Sequence, residues 1–288
     1  MKYRMKLWTG ISTAALIAAS SAVAGKVGAA AHDGPDNGAF RIAAMGEGEG
    51  GEGGEGGEGG EGGEGGEGGV DPAAAATDPA VYLSALDIVR AHYLAGIAML
   101  DVEDGRRAAG EMFAHPISEV YIDLEPVFEA RGVALFMDEM TGAVELALGD
   151  APAAEAGAAA AKVLAALDAA AEKAPPGDRS PLQIEAALTA GMFDRAAKQY
   201  DAATSAGGTD EAWLDGYGFW KVAETRAAAL LAALDARDDT GALPQELREA
   251  REVFGLAYKG PTLPAEAEIP ASTLLAASSR IRLKTSRL

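Results

Sequence analysis

The chain contains no cysteine in its 288 residues, and this absence limits the chemistry that it can carry. Disulfide bonds, thiolate metal ligands and haem attachment through a Cys-x-x-Cys-His motif are all excluded. Histidine is scarce as well, with three in the whole chain. A bound metal ion would therefore take its ligands from a few imidazoles and from carboxylate or phenol oxygens.

Basic residues are also few. The chain has 24 lysines and arginines against 44 aspartates and glutamates, which gives a formal net charge of -20. A surface of that sign repels phosphate backbones and anionic lipid headgroups. We therefore expect no nucleic-acid partner and no binding to anionic membranes.

The usual signatures of catalysis are missing from the sequence. No serine lies in a Gly-x-Ser-x-Gly turn, and no glycine-rich loop has the spacing that binds phosphate. No catalytic residue is predicted, and the pattern argues against an enzyme without deciding the question.

A long apolar run occurs at the N-terminus. Three basic residues within positions 2–6 precede an apolar stretch that begins at Leu7, and Ala22-Val23-Ala24 offers a small-residue cleavage site. Threonines and serines dilute the stretch, which predicts a signal peptide over residues 1–24 and not a membrane span. We expect an exported protein, periplasmic or secreted, that is not embedded in a membrane after cleavage.

A low-complexity acidic leader follows over residues 25–77. Positions 46–69 hold sixteen glycines and eight glutamates, mostly as Glu-Gly-Gly triplets. Glycine loses the most backbone entropy on ordering and evenly spaced like charges repel, so this composition predicts a disordered coil. One interpretation is a solvating spacer. The other is a tether that gathers cations weakly, since isolated flexible carboxylates hold divalent ions loosely.

Residues 78–288 have the pattern of helices joined by short breaks. Asp78-Pro79 predicts an N-cap and a first helical turn, and Ser180 to Gln183 has capping-box spacing. No alternating run of β-branched residues predicts a strand. The sequence therefore predicts an all-α protein, an antiparallel helical bundle of one domain. The predicted helices cover about 78–100, 103–114, 116–131, 132–148, 152–174, 180–205, 209–237, a short stretch after Pro244, and 271–283.

Two of the histidines occupy positions that are unusual for surface residues. At 100° per residue His92 falls near the centre of the apolar stripe of the first helix, with Asp87 on the opposite, outward face. A chain reversal between residues 101 and 105 would bring His115 to within about 3 Å of the height of His92 along the hairpin. A buried imidazole needs a partner for each ring nitrogen, so His92 is either a hydrogen-bonded core histidine or a metal ligand.

Carboxylates at apolar positions are the candidate partners of these imidazoles. Glu185 and Glu224 each fall inside the apolar stripe of a later helix, where a carboxylate is costly to bury unless it is paired or bound to metal. Glu119 and Glu125 are reserve ligands, Glu119 being expected to face solvent and Glu125 to lie at the edge of a stripe. The sequence predicts a site for iron, manganese, zinc or copper formed by His92, His115, Glu185 and Glu224.

The C-terminal segment is basic in an otherwise acidic chain, with Arg280, Arg282, Lys284 and Arg287. Cations near a helix C-terminus are stabilised by the helix dipole, which is the simpler interpretation. The alternative is a docking tail for an acidic partner.

Signal peptide, acidic leader and a helical body with buried histidine and glutamate resemble the layout of imelysin-type periplasmic iron-uptake proteins. The resemblance implies iron uptake as a function. The residues around His92 read Ala91-His92-Tyr93-Leu94-Ala95, which departs from the Gly-x-His-x-x-Glu motif of that family. No residue role is therefore carried over.

Three functional hypotheses follow from these patterns. The first is an exported metal-binding bundle in uptake, storage or sensing of a transition metal, with a membrane transporter or another periplasmic protein as partner. The second is a non-catalytic scaffold or partner-binding bundle, in which the same groups form a hydrogen-bond network. The third is an oxidoreductase with a His/Glu metal site or a b-type haem between His92 and His115.

Overall fold

The computed structural model of the protein describes residues 70–237 and 241–288, all within the unit formed by Gly62–Leu288. Within these residues every regular element is helical, which confirms the predicted all-α class. The predicted signal peptide and the Glu-Gly-Gly tract lie outside the described residues. The elements are α1 (Pro72–Thr77), α2 (Pro79–Met99), α3 (Arg106–Pro116), a π-helical segment (Ile117–Tyr121), α4 (Ile122–Arg131), α5 (Met137–Leu148), α6 (Ala153–Ala171), α7 (Pro181–Thr204), α8 (Asp210–Asp235), α9 (Ala242–Ala257) and α10 (Ala271–Thr285).

The helical region begins before Asp78, inside the segment that we expected to be a disordered leader. The carboxylate of Asp71 accepts hydrogen bonds from the backbone N–H groups of Ala73 and Ala74, and Pro72 occupies the first helical position. The same Asp-Pro pairing then starts α2, where Asp78 accepts from the N–H of Ala80. Two caps of one kind in succession give a short helix followed by a long one.

The break between two helices that was predicted before Pro116 is not present. Pro116 is the last residue of α3, and the helical backbone continues directly into the π-helical segment and then into α4. Proline has no N–H and its ring crowds the carbonyl one turn earlier, so an ordinary α-helical turn cannot pass through it unstrained. A wider π-helical turn is one way in which a helix accommodates such a defect.

The connection after α4 also differs from the prediction, since α5 begins at Met137 and not at Gly132. Gly132 has φ of 67°, the left-handed conformation that closes a helix C-terminus, and its N–H bonds to the carbonyl of Glu129. The four residues 133–136 that follow are non-helical. Their path produces a surface cleft between this connection and α6.

Close approach of α2 to α8 sets the geometry of the core beside His92. A Cβ atom placed on Gly218 would lie 2.3 Å from the backbone oxygen of Ala91, closer than atoms can pack. Glycine at this position therefore lets the two helices touch through their backbones. His92 follows Ala91 directly and is carried against α8 by this contact.

The other helices pack around this pair. α7 lies against α8 and α10, α3 packs on α2 and α5, and α6 packs on α5 and α2. Among the described helices, none combines the length and the apolar character that crossing a lipid bilayer requires.

Candidate functional site

His92 is the centre of the candidate site, with 5% of its surface exposed. Its Nδ1 lies 2.8 Å from the backbone oxygen of Ile88, one helical turn earlier. A carbonyl oxygen only accepts hydrogen bonds, so Nδ1 must carry the hydrogen that it donates. This bond fixes the orientation of the ring and leaves Nε2 as the nitrogen that faces the neighbouring helices.

Two carboxylates approach that nitrogen. Oδ1 of Asp215, on α8, lies 3.4 Å from His92 Nε2, and Oε2 of Glu119, in the π-helical segment, lies 3.8 Å from it. Asp215 is 5% exposed, while the Glu119 side chain reaches further toward solvent. Both distances exceed the 2.7–3.2 Å or so of an ordinary N–H···O bond. They are close to the separation of about 3.4 Å between two ligand atoms that share a tetrahedral metal ion.

The second histidine lies beside the first, as its predicted height along the hairpin implies. The ring centroids of His92 and His115 are 6.2 Å apart and the rings are inclined at 75°. Nδ1 of His115 lies 3.7 Å from Oε1 of Glu211, on the first turn of α8. The residues His92, His115, Glu119 and Asp215 are called the His92 cluster below. The ring of Phe219 lies 6.2 Å from that of His92 and forms an apolar side of this cluster.

Spacings of four residues explain how two helices present these groups together. Glu211, Asp215 and Phe219 follow one another at intervals of four on α8, and so share one face. His115 and Glu119 are also four apart, with the π-helical segment starting between them. A π-helical turn rotates each residue less than an α-helical turn, which redirects Glu119, and such turns are frequent at functional sites.

Glu185 is held by an arginine on α8. Its Oε2 lies 2.8 Å from Nη1 of Arg226, and the same guanidinium makes two bonds to Asp87, at 2.8 and 2.9 Å. Asp87 is 2% exposed, so its predicted outward position is wrong. The helical wheel placed Asp87 opposite the main apolar stripe of α2. That side of α2 is packed as well, and the carboxylate of Asp87 is buried there because Arg226 neutralises its charge.

One guanidinium shared by two carboxylates leaves an excess negative charge in this network. Burial raises the pKa of Glu185, against the lowering effect of Arg226, and burial likewise raises the pKa of Asp87. Glu185 therefore has a structural partner of its own, which explains why a carboxylate lies in that apolar stripe.

Glu224 faces the surface and not the core. Its Oε2 lies 2.5 Å from Nζ of Lys221, and 36% of its side chain is exposed. The prediction that α8 directs this carboxylate into the interior is therefore wrong. Glu125 lies near the phenol of Tyr121, where burial raises the tyrosine pKa and the charge of Glu125 raises it further.

The structure thus brings together His92, His115 and Glu119 from the predicted set, and gives Glu185 and Glu224 basic partners. Asp215 was missed. A signal for it exists in the sequence, because Asp215 shares a face with Phe219 and precedes Gly216 and Gly218, whose small size indicates a closely packed helix. Across residues 70–237 and 241–288, no three histidine or acidic side chains form a group that could hold a metal ion as they stand.

No protein-family model, curated protein or solved structure matches the chain.

Proposed function

We propose that the chain is an exported antiparallel helical bundle that binds a divalent transition-metal ion at His92, in metal uptake, storage or sensing. The observation that carries the proposal is the position of His92 Nε2, 3.4 Å from Asp215 and 3.8 Å from Glu119. Short connections between long packed helices, such as residues 205–209 between α7 and α8, support the antiparallel arrangement.

The ring of His92 has the orientation expected of a metal ligand. Metal-bound histidines regularly donate their second N–H to a backbone carbonyl or a carboxylate, which fixes the ring and raises the basicity of the ligating nitrogen. The Nδ1–H bond to the Ile88 carbonyl has that form. Nε2 is thereby directed to the two carboxylates.

The negative charge of the two carboxylates near His92 favours the binding of a divalent cation there. The carboxylates of Asp215 and Glu119 carry two negative charges together, which a divalent cation would neutralise in a largely dry environment. Imidazole with carboxylate oxygens suits iron, manganese and zinc. Because the side chains do not yet form a complete group, binding requires Glu119 to turn toward His92, with His115 as a fourth ligand.

Metal content is the direct test of this proposal. The purified protein is dialysed against iron(II), manganese(II), zinc(II) or copper(II), freed of loose ions, and analysed by inductively coupled plasma mass spectrometry. We expect one tightly bound ion, with affinity reduced at least about tenfold in His92→Phe and Asp215→Asn. Glu224→Gln, which changes a surface carboxylate, is the matched control and should bind normally. A protein that retains no stoichiometric ion under any of these conditions would refute the proposal.

A non-catalytic partner-binding bundle is the second candidate function. It is favoured by the distance of 3.4 Å between His92 and Asp215, since a protonated imidazole at that distance would form an ion pair with the carboxylate without any metal. Thermal unfolding separates the two candidates. A metal-binding protein gains about 2.7 kcal/mol at an ion concentration one hundred times the Kd and loses it to a chelator, whereas a scaffold melts at one temperature in both conditions. A visible absorption spectrum tests the oxidoreductase or haem hypothesis.

A further inference from the structure

A surface cleft lies on the side of α6 that faces the connection from α4 to α5. Its volume is about 530 Å³, within the range of roughly 300–1,000 Å³ that small-molecule sites occupy. The connection is fixed at both ends, because Gly132 closes α4 and the N–H of Phe136 donates to the hydroxyl of Tyr121 at 2.9 Å. Arg131 anchors the opposite side by donating to the backbone oxygens of Lys173 and Ala174.

Aliphatic groups line most of this cleft. Val133, Ala134 and Leu135 border it from the connection, and Ala166 and Ala169 border it from α6. Leu135 is 42% exposed, so a ligand that covered it would remove apolar surface from water. The two alanines have short side chains, so the surface between them is a shallow apolar channel.

Lysines lie at the two ends of the channel. Lys162, Ala166 and Ala169 succeed one another at intervals of four and three, which places them on one face of α6, and Lys173 follows two residues beyond the end of that helix. A single carboxylate, Glu139 of α5, also borders the cleft.

These two ammonium groups differ from those of three other lysines in the described residues, although Lys284 also takes part in no ion pair there. Lys198, Lys221 and Lys259 each lie within 2.9 Å of a carboxylate oxygen. In the part of the chain that the structure describes, Lys162 and Lys173 take part in no ion pair. Two lysines and one glutamate leave the cleft with one excess positive charge, in a chain whose net charge is -20.

We propose that this cleft binds an aliphatic monocarboxylate of the fatty-acid class. The alkyl chain lies along Ala166, Ala169 and Leu135 and removes their apolar surface from water. The carboxylate pairs with the ammonium group of Lys162 or Lys173, and its single negative charge balances the excess positive charge. The site is separate from the His92 cluster and does not depend on metal binding.

Calorimetric titration with dodecanoate, below its micelle-forming concentration and with a chelator present, tests this inference. We expect saturable binding of one molecule, and no comparable binding of dodecyltrimethylammonium, whose tail is equal but whose charge is opposite. Lys162→Met and Lys173→Met identify the headgroup partner, and at least one of them should weaken binding fivefold or more. Leu135→Asp should abolish binding while leaving the helical circular dichroism spectrum unchanged.

Lys198→Met is the matched control, because that lysine is paired with Asp194 away from the cleft lining. Its affinity for dodecanoate should equal that of the unaltered protein. Absence of saturable binding, equal binding of the cationic amphiphile, or unchanged affinity in both cleft lysine variants would each overturn the inference. None of these results would bear on the metal site, which is measured by ion content.

Discussion

His92 shows how much of the candidate site depends on the placement of one hydrogen atom. Because Nδ1 donates to the Ile88 carbonyl, Nε2 alone is available to Asp215 and Glu119. A proton on Nε2 makes an ion pair, and a metal ion there makes a coordination site. The two functions proposed above differ in what occupies this single position.

Tyr93, the next residue along α2, carries a different kind of buried polar group. Its hydroxyl oxygen has no hydrogen-bond partner among the described residues, the side chain is 0% exposed, and burial raises its pKa. An unsatisfied buried group costs about 1–3 kcal/mol. We therefore expect Tyr93→Phe to raise the free energy of unfolding by about 1 kcal/mol in urea denaturation.

Tyr258→Phe is the control for that measurement. Its hydroxyl donates to the backbone oxygen of Ala196 at 2.7 Å, so the same substitution should lower the free energy of unfolding by about 1 kcal/mol. Destabilisation of the protein by Tyr93→Phe would show that the hydroxyl of Tyr93 is satisfied in solution.

The buried carboxylate of Glu185 predicts how the stability of the protein depends on pH. Burial raises its pKa in the folded protein above the ordinary value of 4.5, so the folded state holds this proton more tightly than the unfolded state does. The contribution of Glu185 to stability is therefore complete below pH 4.5 and is lost as the pH rises through the folded-state pKa. We expect Glu185→Gln, which cannot ionise, to be more stable relative to the unaltered protein at pH 7 than at pH 4.5.

Denaturant unfolding of both proteins at the two pH values provides the measurement. Glu224→Gln controls for the general effect of removing a negative charge, since that side chain is partly exposed and pairs with Lys221. A relative stability of Glu185→Gln that falls between pH 4.5 and pH 7 would mean that Arg226 lowers the pKa of Glu185 more than burial raises it.

At the scale of helices, the crossing of α2 and α8 decides whether the site exists. The backbones meet at Ala91 and Gly218, one residue from His92 and three from Asp215. Any side chain at position 218 must separate the helices. The cluster is therefore a product of helix packing, and not of the local sequence around either residue.

Gly218→Ala tests this dependence. The added methyl group would lie 2.3 Å from the Ala91 oxygen, so we expect a loss of about 1–3 kcal/mol in unfolding free energy, with weaker metal binding. Gly191→Ala is the matched control, because no atom lies within 4 Å of the added methyl group on α7. There the better helix propensity of alanine should stabilise the protein by about 0.5–1 kcal/mol. Equal effects of the two substitutions would contradict the close crossing.

The elements also show what can be predicted from sequence. The starts of α2 and α7 depend on Asp78-Pro79 and on the Ser180–Gln183 capping box, which are local hydrogen-bond patterns, and both were predicted within a residue. The predicted break at Pro116 was wrong because a π-helical turn accommodates the proline. Whether the helix continues past a proline depends on its packing against other helices, which cannot be predicted from the local sequence.

The candidate site was predictable in part for the same reason. The neighbourhood of His92 and His115 follows from helix period and rise, since both lie on one hairpin. The partners of Glu185 and Asp87 do not, because Arg226 is 139 residues from Asp87 in the chain. A helical wheel shows which face is apolar, but it does not show which distant cation meets a carboxylate at its edge.

At the scale of the whole molecule, the N-terminal pattern predicts export. Expression of the full chain in a bacterial host should yield a mature protein that begins at Gly25 and is recovered from the periplasmic or secreted fraction, because Ala22-Val23-Ala24 suits a signal peptidase. Intact-mass spectrometry of the fractions provides the measurement. Full-length protein confined to the cytoplasm would show that the N-terminal segment is not a cleaved export signal.

An anomalous difference map shows whether a metal ion binds at His92. Crystals of the protein soaked with manganese(II), iron(II) or zinc(II) are measured at the absorption edge of the metal, and an anomalous difference map locates it. We expect one peak about 2.1 Å from His92 Nε2, with a carboxylate oxygen of Asp215 at a similar distance. A map without a peak there, in crystals whose soak contains ample metal, would contradict the claim that His92 and Asp215 form a metal site.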